Sequence, residues 1–145
     1  MNGAQMTPGM ICCLIFLAVN AFMDIRSRMI WWPGCLIGAG AGILCHVTEG
    51  SWDAWMLTVS LLPGAVMALF SWLGRQQLGA GDALVVMTCG IMTDAAAVLG
   101  MLLTGFWCAG AYALFLLLIR KKDRKESFPL IPFLLAGMLL TCCFG

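Results

Sequence analysis

Charge is scarce in this chain. Only 10% of its 145 residues are Asp, Glu, Lys or Arg, whereas 62% are hydrophobic. A water-soluble domain of this length needs more charged surface than that, so the class is an integral membrane protein. Histidine and tyrosine occur once each, at His46 and Tyr112, which leaves little scope for a Ser–His or Cys–His nucleophile. None of the eight cysteines forms a Cys-x-x-Cys pair, which removes the ligand spacing of a structural zinc site. Cys12, Cys13, Cys35, Cys45, Cys89, Cys108, Cys142 and Cys143 all sit in or beside apolar runs, and are expected as small membrane-embedded thiols. No Lys or Arg precedes Arg26. The beginning of the chain therefore lacks the basic segment of a cleavable signal peptide, and the N-terminus is expected outside the cytoplasm.

Long apolar runs fill the space that charge leaves. A spanning helix takes roughly 20 apolar residues, and the chain divides into stretches of about that length. The first covers 7–23, with Pro8 at a helix start, and stops at Asp24-Ile25-Arg26-Ser27-Arg28. The second, 29–47, opens on Trp31 and Trp32 and carries Gly34, Gly38, Gly40 and Gly42, small residues suited to close helix contact. The third, 54–73, holds Pro63-Gly64, where a kink is expected. From Ala83 to Ile119 only Asp94 interrupts the apolar sequence. As one helix that stretch would be about 55 Å long, far beyond a bilayer. It must turn back at Thr93-Asp94, giving a fourth span over 76–92 and a fifth over 95–119. A basic loop follows, and 128–144 forms the sixth. The expectation is an all-α, polytopic, single domain covering 1–145.

The basic residues test that division. Arg26 and Arg28 follow the first span, Arg75 the third, and Arg120, Lys121, Lys122, Arg124 and Lys125 the fifth; these are all eight in the chain. With six spans they lie on one side, which should be cytoplasmic, and both termini face outward. His46 then lies on the outer side.

Asp24 and Asp82 fall toward the cytoplasmic side. Asp82 stands six residues into a helix starting near Gln76, about 9 Å below its end, behind Gly79-Ala80-Gly81. A carboxylate held at membrane depth is a functional candidate. Two aspartates that meet in a partly dry cavity cannot both ionise cheaply, so one is a base and the other an acid. Such a pair can activate water without a metal or a nucleophilic side chain. Asp24 also fits a juxtamembrane ion pair with Arg26, and Asp82 a helix cap, a packing contact or a carrier's ion site.

Taken together, three segments resemble a known family. Asp24-Ile25-Arg26-Ser27-Arg28-Met29-Ile30 after an apolar helix, Gly79-Ala80-Gly81-Asp82 at a fourth, and Phe128-Pro129-Leu130-Ile131-Pro132-Phe133-Leu134-Leu135-Ala136-Gly137 at the last are similar to the type IV prepilin peptidases. These are six-helix GxGD aspartyl proteases of the plasma membrane, and the similarity covers nearly the whole chain. The resemblance implies a catalytic pair of Asp24 and Asp82, with Gly79, Gly81, Arg26 and Arg28 as supporting motif residues. It implies a pilin-like or pseudopilin precursor as substrate, cut at the cytoplasmic face after a short basic leader. The bilayer is the other partner; no nucleic acid, metal or cofactor is implied. The chain departs from the pattern at Trp31-Trp32-Pro33, where Pro-Asn is usual, and at Leu84, where a lysine often stands. No Cys-x-x-Cys insert is present, so what the chain resembles is the minimal form of the family, a peptidase without a methyltransferase domain. Presenilins share GxGD but add Tyr-Asp and Pro-Ala-Leu motifs, both missing here. From another class, a small membrane carrier or a catalytically silent relative would use the aspartates for ion binding or packing.

Overall fold

A computed structural model describes residues 6–27, 29, 31–50, 53–74, 80–120 and 130–144. They form α1 (Pro8–Ser27), α2 (Trp32–Glu49), α3 (Ala54–Leu73), α4 (Ala80–Met92), α5 (Ala95–Arg120) and α6 (Ile131–Phe144). No strand occurs among the described residues. The ends follow local chemistry. Pro8 starts α1 and Pro33 lies at the start of α2, where a missing N–H is no loss. Gly50 closes α2 with φ 64°, its N–H donating to the Val47 carbonyl, a left-handed stop that suits glycine. The reversal within the long apolar run falls at Thr93-Asp94, between the end of α4 at Met92 and the start of α5 at Ala95.

Two boundaries differ from the sequence expectation, those of α1 and α6. α1 continues through Ser27, so Asp24 stands inside the helix instead of ending it. The described part of α4 begins at Ala80, and the expected start near Gln76 lies outside the described residues. α6 begins at Ile131, three residues after the expected start. α3 runs on as one helix through Pro63. Arg75 and the basic segment 121–126 lie outside the described residues.

α1, α3 and α5 are each long and apolar enough to cross a membrane, and α4 and α6 are shorter apolar helices. The outward faces carry Trp55, Trp72, Trp107, Leu118 and Phe144, each 72–84% exposed. Apolar surface on that scale suits lipid, not water, and the chain is a membrane protein.

Inside, α5 packs on α6, α4 lies against α2 and α3, and α1 lies against α2, α4 and α6. Leu17, Val85, Val86, Met101, Ile131, Leu134 and Met138 fill the centre. In lipid, helices associate through close packing and small residues, because the tails are as apolar as leucine. Gly137 shows how tight this is: a Cβ there would sit 2.5 Å from the Met101 carbonyl oxygen and 2.7 Å from the Gly105 nitrogen. Nearby, the Thr104 hydroxyl lies 3.0 Å from the Gly137 carbonyl oxygen, bridging α5 and α6. The α2 glycines divide by role. Gly38 faces Phe16 and Thr88, Gly42 faces Ile91 and Met92, and Gly34 receives the Trp31 ring, but Gly40 has nothing within 4 Å. All eight cysteines are free thiols, with Cys13, Cys35, Cys89 and Cys142 buried.

Candidate functional site

α1 turns Phe16, Asn20 and Asp24 inward at four-residue spacing, which stacks them on one face. Phe16 and Asn20 are buried and Asp24 is half-buried. α4 lies beside α1, running the other way. Gly9 abuts the Met92 carbonyl at one end of the pair and Phe16 meets Thr88 across Gly38 further along. At the other end Asp24 and Asp82 come within electrostatic reach, the charge of Asp24 acting on Asp82. Asp82 is half-buried, and one carboxyl oxygen of Asp24 is closed off from solvent. Two like charges brought this near repel, which makes the pair a candidate for acid–base chemistry.

Around this pair, Gly81 sits half-buried in the first turn of α4, immediately before Asp82. Arg26 is exposed in the last turn of α1. Gly79 and Arg28 lie outside the described residues. Leu84 is 38% exposed, whereas Ala83, Val85 and Val86 are buried, so it faces away from the pair.

One residue of this region escaped the sequence reading. Asn20 is 1% exposed. Its amide nitrogen donates to the Phe16 carbonyl at 2.9 Å, while its Oδ1 is buried without a hydrogen-bond partner. The signal was an amide in an otherwise apolar helix, four residues before an aspartate. Polar side chains at membrane depth are costly and merit the scrutiny given to charges.

The far end of the bundle is built differently. A cavity of about 430 Å³ opens among Met10 of α1, His46 and Glu49 of α2, Asp53 before α3, Ser60 within it, and Asp94 between α4 and α5. Met10 lies 14 residues from Asp24, about 20 Å along α1. The only histidine is therefore remote from the aspartate pair. Among the described residues, no group of three or more His, Cys, Asp or Glu is arranged to hold a metal ion.

Comparison of the chain with protein-family models, with curated proteins and with solved structures returns no match.

Proposed function

We propose that this chain is an intramembrane aspartyl endopeptidase of the prepilin-peptidase type, without a methyltransferase domain, which removes the short basic leader of pilin-like or pseudopilin precursors. The meeting of Asp24 and Asp82 at one end of α1 and α4 carries this reading. The three sequence segments that resemble the family support it. So does the gathering of all eight Lys and Arg residues on one side of a six-span arrangement. In that arrangement the protein crosses the plasma membrane six times, both termini face outward, and the aspartates work at the cytoplasmic face.

The mechanism needs only the two carboxyl groups and one water. The ionised aspartate takes a proton from the water as its oxygen bonds to the scissile carbonyl carbon. The protonated aspartate gives its proton to the carbonyl oxygen, leaving a neutral gem-diol. On collapse, the first aspartate passes its proton to the leaving nitrogen and the C–N bond breaks. The second aspartate recovers a proton from the diol.

Co-expression with a pilin-like precursor tests the reading. The wild-type chain is expected to shorten the precursor by its leader, and both Asp24→Asn and Asp82→Asn to leave it whole. Leader removal that persists in either variant overturns the dyad. Aspartate-dependent ion transport without cleavage would favour a carrier instead. Single cysteines in segment 121–126 should react with an impermeant thiol reagent only after the cytoplasmic side is opened; labelling from outside overturns the orientation.

A further inference from the structure

Two adjacent cysteines of α1 meet thiols on two different helices. Cys13 lies within hydrogen-bonding reach of Cys89 on α4, and Cys12 within the same reach of Cys45 on α2. Neighbouring residues on a helix point about 100° apart, so one step along α1 leads from the core to its edge. Cys13 and Cys89 are fully buried, whereas Cys12 and Cys45 are half-buried. Helix register agrees with the second pairing. Gly9 and Gly42 both meet Met92, and Phe16 meets Gly38. α1 and α2 therefore run in opposite directions, and Cys12 falls beside the last two turns of α2, where Cys45 stands. Cys12 is four residues from the start of α1 and Cys45 four from the end of α2, each about 6 Å in. Cys45 lines the 430 Å³ cavity at this end, together with His46 and Glu49. The outer pair is open to small solutes, and the inner pair is sealed.

We infer that Cys12 and Cys45 are an oxidisable dithiol, a site of disulfide formation that staples α1 to α2 at the end remote from the aspartates. The oxidant is a small disulfide, R–S–S–R, that reaches Cys45 through the cavity. The Cys45 thiolate attacks one of its sulfurs, which forms a mixed disulfide and releases one R–S⁻. The Cys12 thiolate then attacks Cys45 Sγ, and the second R–S⁻ leaves. Each leaving group takes up the proton that a cysteine has lost. The protein dithiol is thus oxidised while one disulfide is reduced to two thiols. Cys13 and Cys89 are as well placed for each other, but no oxidant arrives where there is no exposed surface. In the six-span arrangement this end faces away from the cytoplasm, where disulfides persist. The compartment rests on that orientation; the chemistry of the pair does not.

Oxidised glutathione on the purified full chain tests this, with thiols counted by maleimide after denaturation and the mass of the chain measured alongside. The wild type should lose two thiols without gaining glutathione, and dithiothreitol should restore both. Cys12→Ala should stop at the mixed disulfide, with one thiol lost and the chain heavier by one glutathione. Cys45→Ala should form no internal disulfide. Cys89→Ala, or Cys89→Ser if the first does not fold, should still lose two thiols. Oxidation should also raise the thermal midpoint of the wild type, because the bond closes the chain between α1 and α2 into a loop, and should leave that of Cys45→Ala where it was. A wild type that keeps all its thiols overturns the inference. So does an internal disulfide that survives in Cys45→Ala, or one that disappears in a folded Cys89 variant, since the bond would then lie elsewhere. A midpoint that does not move on oxidation of the wild type overturns the staple.

Discussion

The two ends of this bundle both gather carboxylates, and they do so in opposite ways. At one end Asp24 and Asp82 stand on neighbouring helices, half-buried and within electrostatic reach. At the other, Glu49, Asp53 and Asp94 surround an open cavity together with His46. Glu49, Asp53 and Asp94 are exposed to water, whereas the aspartate pair is partly withdrawn from it, where like charges repel more strongly. Placement, not residue type, separates the two ends.

Removing one member of the buried pair should have the largest effect. Asp82→Asn keeps the size and hydrogen-bonding capacity of the side chain but cannot exchange the proton. Leader cleavage should fall by on the order of 10²–10⁴-fold, measured as the initial rate on a purified precursor, with helicity unchanged. A variant that retains a tenth or more of the wild-type rate would erase the distinction between the ends.

The far end is held by contacts of backbone on backbone, and these set the second expectation. Gly90 of α4 lies against the Ser60 carbonyl of α3, and Gly9 of α1 against the Met92 carbonyl. Neither neighbour is a side chain that can swing aside. Gly90→Val should lower stability by about 1–3 kcal/mol, read as a drop in thermal midpoint in detergent. Cleavage by the fraction that remains folded should persist, because the aspartate end keeps its own packing. A stable Gly90→Val protein would mean that α3 and α4 are less closely applied than the structure has them.

Much of this contrast was legible in the sequence. The run from Ala83 to Ile119 was too long for one span, so it had to turn at Thr93-Asp94, and it does. Counting Lys and Arg put Asp24 and Asp82 on one side before any contact was known. Other features depend on rotation about helix axes and on backbone approach, which the order of residues does not encode. Gly34, Gly38, Gly40 and Gly42 look alike in the sequence, yet Gly40 faces open space. Asn20 passed unnoticed because nothing in a string of residues tells an amide turned into the bundle from one turned out.

Neutralising the far end should do little to cleavage. Glu49→Gln, Asp53→Asn and Asp94→Asn, singly or together, should leave kcat/KM within about twofold of wild type, the range expected of substitutions outside buried contacts. If the triple variant lost cleavage altogether, the two ends would be coupled through α1 and α4, and the chemistry could no longer be assigned to one of them.

The smallest effect is expected beside the aspartates themselves, at Leu84. It follows Asp82 by two residues, which at 3.6 residues per turn is about 200° around the helix. Its 38% exposure beside buried Ala83, Val85 and Val86 agrees with an outward position. Leu84→Lys restores the residue often found at this place in the proteases that the chain resembles. From the outward face its ammonium group would reach for the membrane interface and leave its apolar stem along α4. It would not meet the Asp82 carboxyl group. Stability should therefore change by no more than about 0.5 kcal/mol and cleavage by no more than about twofold, measured as thermal midpoint and kcat/KM on the same preparation. A tenfold gain in kcat/KM would show that the outward face of α4 meets the substrate as well. The working end of the bundle would then extend beyond the two helices that carry its aspartates.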